Sequence, residues 1–164
     1  MYRIRLFGDP VLRKKSSPVT SFGDELKKIV ERMIETMYHY DGVGLAAPQV
    51  GISKRIFVMD VGNGPVVVVN PEILEMSEEK EVMEEGCLSF PEVFENVERS
   101  KWIKVRYQTT SGETVEEVME GYAARVFQHE YDHLEGILLI DRMSPARRML
   151  LRKKLMDIAK VSRR

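Results

Sequence analysis

Two histidines and a glutamate in the stretch "FQHEYDHLEG" (Phe127 to Gly136) carry the clearest chemical signal in this 164-residue chain. Four residues apart on a helix, His129 and His133 stack on one face, so both imidazoles can reach a single ion. Glu130 follows His129 by one residue, which turns it about 100° round the helix axis. From there it touches a water beside the ion rather than the ion itself. It can take that water's proton and later deliver it to a leaving group. Asp132, in the same turn, reads either as a support for a ligand or as a surface residue. Two ligands do not hold a catalytic metal, so the third decides the chemistry.

The pattern extends to H-E-x-x-H-x-x-G at Gly136, which invites a metallopeptidase reading of the metzincin kind. That reading needs a third histidine where this chain has Leu139. A thermolysin-like site needs a glutamate on a second downstream helix, and the final segment offers Asp157 as its one acid. Glu135 lies two residues past His133 and faces away from it. The remaining soft donor is Cys87, in "EEGCLSFPE", where Gly86 permits tight backbone geometry and Pro91 suits an edge strand or loop. A Cys87 thiolate would complete a His2Cys site with an open fourth position, suited to iron, cobalt, nickel or zinc. The ion's charge would hold the thiol deprotonated. In the plainer alternative Cys87 is a small buried hydrophobe and the histidines make ordinary hydrogen bonds. A third alternative is a binding protein with a purely structural His2Cys site, which has no need of a carboxylate such as Glu130 beside its ligands.

These residues need elements to position them. Leu26, Ile29, Val30, Met33, Ile34 and Met37 recur at helical spacing, predicting an N-terminal helix over Asp24 to His39 stopped by Gly42 and Gly44. "RIFVMD" (Arg55 to Asp60) and "VVVVNPEIL" (Val66 to Leu74) read as strands, and acidic "SEEKEVMEEG" as a surface excursion. "WIKVRYQ" and "ETVEEVME" form a hairpin around Ser111-Gly112. "YAARVFQHEYDHLEG" is helical from just after Gly121 to Gly136, and Ser144-Pro145 caps one final helix. Interleaved strands and helices without a regular βαβ repeat give an α+β fold. Its mixed or antiparallel sheets surround a central helix that carries the histidines, with N-terminal and C-terminal helices outside. No repeat or linker divides residues 1–164, so one domain is expected.

Three stretches together resemble the motifs of the peptide deformylase family: "GVGLAAPQVG" (Gly42 to Gly51), "EGCLSFP" (Glu85 to Pro91) and "QHEYDHLEG" (Gln128 to Gly136). They stand in the family's order and at similar separations, and the likeness extends to chain length and the C-terminal helix. The resemblance implies a hydrolase that removes the N-formyl group from the N-terminal methionine of newly synthesised polypeptides, releasing formate. It implies Cys87, His129 and His133 as ligands of one divalent ion, ferrous iron as is usual in the family, with zinc, nickel or cobalt able to replace it. Metal-bound water would be the nucleophile and Glu130 the general base and acid. The Gln49 side-chain amide and the Leu88 backbone N–H would stabilise the oxyanion. By the same resemblance Val43, Met83, Glu85, Tyr122, Val126 and His129 line the methionine pocket. Gly44 and the backbone from Ser89 to Pro91 would pair with the peptide as an added strand. Arg125, where many members carry an apolar residue, and Phe94, where some carry Arg, depart from the familiar pattern outside the ligand set.

The composition, 43% hydrophobic and 31% charged, suits a soluble globular protein, and no apolar run reaches the roughly 18 residues of a membrane span. "MYRIRLFGDP" lacks the apolar stretch of a signal peptide, and a lone cysteine rules out an intrachain disulfide. A cytoplasmic monomer, away from membranes, is the expectation. The net charge of -1 conceals an uneven distribution. Residues 144–164 hold eight cations (Arg147, Arg148, Arg152, Lys153, Lys154, Lys160, Arg163, Arg164) and one acid, +7 in all, so the rest carries -8. Such a tail is either a solvated helix face or a dock for a polyanion. In some relatives the corresponding helix binds the ribosome, which makes rRNA the expected partner.

Overall fold

The computed structural model describes residues 1–163, so Arg164, last of the tail cations, lies outside the described residues. In chain order the strands are β1 (Gly44–Ala46), β2 (Ile56–Met59), β3 (Val66–Met76), β4 (Lys80–Cys87), β5 (Phe90–Ser100), β6 (Trp102–Gln108) and β7 (Thr114–Glu120). The α-helices are α1 (Asp24–His39), α2 (Gly121–Leu134), α3 (Pro145–Leu150) and α4 (Arg152–Ser162). A five-stranded sheet runs β1-β2-β3-β6-β7, and β4 and β5 form a separate ribbon. Every strand pair is antiparallel. The fold is α+β.

β2 explains how the layers assemble. Its four residues are all apolar and buried, and period-2 alternation sends them to opposite faces. Ile56 and Val58 pack with Leu26, Val30, Met33 and Met37 of α1. Phe57 and Met59 pack with Ala124, Val126, Phe127 and Leu134 of α2. The Phe57 and Phe127 rings meet edge-on, centroids 4.9 Å apart. Fully burying such a ring contributes about 2–3 kcal/mol, so α2 is fixed on the sheet mainly by these contacts. A third cluster joins Phe90, Val93 and Val97 of β5 to Leu155 and Ile158 of α4 and to Leu12.

The predicted N-terminal helix, the strands at Ile56 and Val66, the Ser111-Gly112 hairpin and the central helix all form, within two or three residues of the expected bounds. Two expectations change, and at Pro91 the strand alternative holds. "SEEKEVMEEG" is mostly β4 rather than a loose excursion. Most of its side chains face water, so the apolar alternation that marks a strand is missing. β5 continues the chain through Pro91 as an eleven-residue strand. Its inward positions 93, 95, 97 and 99 are Val, Glu, Val and Arg, so charge interrupts the pattern at alternate steps. The single final helix is two, broken at Leu151. Ser144 caps α3 through its Oγ, which accepts the Arg147 N–H at 3.2 Å. Past the break, α4 buries Leu155 and Ile158, whereas Met149 and Leu150 of α3 stay exposed.

Candidate active site

Two elements converge on the Cys–His–His set. Cys87 ends β4, and His129 and His133 stand one turn apart on α2. One donor atom from each residue falls within a group whose members lie within 4.8 Å of one another. His133 Nε2 is 3.3 Å from Cys87 Sγ. The Glu85 carboxylate accepts from His129 Nδ1 at 2.9 Å, which fixes the tautomer and leaves Nε2 for an ion. Thiolate plus two imidazoles is a donor set that suits a borderline-soft divalent ion, so the residues fit a metal centre.

Electrostatics separates the titrating groups. Burial pushes the Glu130 carboxyl up to about 7; Glu85 and Asp132 push the same way, and His129 and Arg99 oppose them. Glu130 Oε1 is buried and has no hydrogen-bond partner among the described residues. His133 is driven well below the usual imidazole range, first by burial and then by the charges of His129 and Arg99. Burial also disfavours a charged His129, but contacts with Cys87, Glu85 and Glu130 outweigh it and hold the pKa well above that range. Burial of Glu85 is likewise outweighed, by Arg99 and His129, so its carboxyl stays well below the usual carboxylate range.

β1 is an edge of its sheet, and the chain continues from it into a short 3-10 turn over Ala47–Val50 that carries Gln49. Gln49 Oε1 accepts from the Ala46 N–H at 2.9 Å, which turns its amide nitrogen toward Ser89 Oγ (3.1 Å) and Cys87 Sγ (3.5 Å). Leu88 and Ser89 make the tight turn between β4 and β5, where Cys87 pairs with Phe90. Ser89 is fully buried, and its carbonyl already accepts the Phe7 N–H at 2.9 Å.

A cavity of about 690 Å³ opens over this cluster. Of the residues expected to carry chemistry, Cys87, His129, Glu130, Gln49 and Leu88 border it. Of those expected to bind substrate, Val43, Gly44, Glu85, Tyr122 and Val126 also border it. Met83 does not: it lies two residues before Glu85 on β4, opposite Val97, and is 38% exposed outside the cavity. Ser89 sits behind the lining and His133 beneath it. Glu85 borders the cavity, but Arg99, Arg125 and His129 engage its carboxylate. Asp132 is buried rather than on the surface, and Arg99 and Arg142 both pair with it at 2.7 Å. Sequence reading missed Arg99, Gln128 and Arg142, and the exposed Tyr40 at the cavity mouth. The one available signal was the polar spacing 125-128-129-132 on α2.

Gly44 packs directly on Glu130. A Cβ at Gly44 would lie 2.5 Å from Glu130 Oε2 and 2.9 Å from its Cδ and Cγ. Gly44→Ala must therefore displace the carboxylate while leaving the surrounding core in place. Misplacement of a reacting group by about 1 Å costs about a hundredfold in rate. Turnover should fall on that scale with the far-UV circular dichroism unchanged, and near-normal turnover would contradict this packing.

The sequence pattern of the family described as "Polypeptide deformylase" matches residues 1–149. A peptide deformylase of Thermotoga petrophila is 76% identical over 164 residues, covering all of both chains. One from Fusobacterium nucleatum is 46% identical over 167 residues, covering 100% of this chain and 96% of its own. Among solved structures, the peptide deformylase of Thermus thermophilus superposes with a TM-score of 0.94 at 44% identity, covering 99% of each chain. That of Thermotoga maritima gives 0.87 at 76% identity, covering 88% of this chain and 99% of its own.

Proposed function

The chain belongs to the polypeptide deformylase family, and on that premise we propose that it hydrolyses the N-formyl group from the N-terminal methionine of nascent polypeptides, releasing formate. The observation that carries the mechanism is Glu130: a buried carboxylate with a free oxygen, beside the Cys87–His129–His133 set. Cys87, His129 and His133 would hold a divalent ion, ferrous iron foremost and zinc, nickel or cobalt as substitutes, which would supply Lewis acidity at the formyl carbonyl and at water. Glu130 takes the attacking water's proton and returns it to the departing amine, so that formate and a free N-terminus leave together. Gln49, with its amide nitrogen already turned into the site, and the Leu88 N–H donate to the oxygen where negative charge develops. The 3.5 Å contact from Gln49 to Cys87 is to sulfur, a weak acceptor, and is easily exchanged for that oxygen.

Val43, Tyr122 and Val126 give the cavity an apolar wall for the methionine side chain. The free edge of β1 at Gly44 accepts the peptide backbone as an added strand. An anaerobic assay of formyl-Met-Ala against unformylated Met-Ala, on protein loaded with each ion and with metal content measured, tests the reading. Formate release from the first and no cleavage of the second is expected; release of free amino acids from Met-Ala would favour a metallopeptidase.

The enzyme works as a monomer in the cytoplasm, where a reducing environment keeps the lone Cys87 thiol available. No described helix is long and apolar enough to cross a membrane. The C-terminal segment supplies a second contact, with the ribosome. Arg148, Arg152, Lys153 and Lys160 are exposed, and Leu155 and Ile158 turn inward to β5. Neutralising those four cations leaves the buried face of α4 intact. Cosedimentation with ribosomes at low salt should then weaken severalfold, and unchanged cosedimentation would refute the contact.

A further inference from the structure

The three candidate ligands sit on two bodies that share no strand ladder. Cys87 is on the β4–β5 ribbon, and His129 and His133 are on α2, which is anchored to the other sheet. A buried polar stripe joins them. Arg125, Gln128, His129 and Asp132 fall at i, i+3, i+4 and i+7, so one face of α2 presents all four to the ribbon. Gln128 clasps the Ser100 backbone, accepting its N–H at 3.2 Å and donating to its carbonyl at 3.0 Å. Arg99 of β5 donates to Asp132 at 2.7 Å. Arg125 reaches both strands at once: it donates to Glu85 Oε2 (2.6 Å) and to the carbonyls of Glu81 (2.6 Å) and Val97 (2.9 Å).

Resting on the metal-centre reading above, we propose that Arg125 is a positioning residue for His129, acting through Glu85, and so sets how tightly the site holds its ion. Glu85 divides its oxygens. Oε1 takes His129 Nδ1–H and Arg99 Nη2, and Oε2 takes Arg99 Nε and Arg125 Nη1. Loss of Arg125 removes the shorter donor on Oε2 and the two ties it makes to the Glu81 and Val97 carbonyls. The carboxylate can then swing, and the Nδ1–H bond that orients His129 swings with it. Such outer partners of a ligand imidazole are worth about 10–100-fold in metal affinity. Lysine cannot replace this arginine, because one point charge does not fill three divergent acceptors.

The test is zinc affinity by competition with a chromophoric chelator, together with the visible spectrum of the cobalt form. Arg125→Met should bind zinc about 10–100-fold more weakly, with shifted cobalt bands, and Arg125→Lys at least about threefold more weakly. Val30→Ala, on the buried side of α1 across the far face of the sheet, should lower the melting temperature yet keep the wild-type affinity and spectrum. Affinity within twofold of wild type in Arg125→Met, with unchanged bands, would overturn the assignment. If that variant does not fold, wild-type affinity in Arg125→Lys would overturn it equally. Wild-type protein that binds no divalent ion in the same titration would refute the metal-centre reading itself.

Discussion

Glu130→Gln should keep its metal and lose nearly all formate release, with turnover down about 10²–10⁴-fold. The amide has the carboxylate's shape, so Gly44, packed against Oε2, needs no adjustment. It cannot accept a proton, and in the native chain the buried Oε1 has no other partner among the described residues. Elemental analysis separates this outcome from metal loss. The pH profile gives a second measure. A base works only when ionised, so kcat/KM must fall as pH falls through the Glu130 pKa. Burial raises that pKa to about 7, and the positive charge of a bound ion works in the opposite direction. The acid limb of the wild type should therefore lie at or below about pH 7, and the residual activity of the Gln variant should lack it. Turnover near wild type in that variant would sink the mechanism.

Cys87→Ala should abolish both metal retention and turnover. Two imidazoles then remain, and two ligands do not keep a catalytic ion. Because loss of an outer partner already costs about 10–100-fold in affinity, loss of a direct ligand should cost at least the upper end of that range. The fold should survive, since Cys87 is only partly buried at the margin of the third apolar cluster and the α2 seam does not use it. Zinc should raise the melting temperature of the wild type by binding the native state, and should leave that of the variant unmoved. A variant that retained one ion per chain through dialysis would exclude Cys87 from the ligand set.

Both predictions concern residues that local sequence pattern identified. An i, i+4 histidine pair needs only a helix to share a face, and the apolar periodicity around Phe127 and Leu134 already required that helix. The N-terminal helix and the hairpin were legible because one face of each is apolar, so the period shows; β2 and β3 were legible as short apolar runs rich in β-branched residues. Legibility ended where buried faces were charged. β5 turns Glu95 and Arg99 inward beside Val93 and Val97, and β4 keeps most of its side chains in water, so neither announces itself as a strand. Met83, two residues from Glu85 on the same strand, was expected in the pocket by resemblance and stands outside it.

The sequence by itself determined the family and brought forward the candidate ligands and the candidate acid–base residue, because these depend on residue identity within short motifs. Tertiary structure alone decided which charges compensate one another. Arg99 and Glu85 are 14 residues apart, Arg125 and Glu85 are 40, and Arg99 and Asp132 are 33. Nothing in the local sequence says which of these charges pair. Burying a charge is costly unless a partner of opposite sign is already in place, and the fold supplies that partner by laying the β4–β5 ribbon across α2.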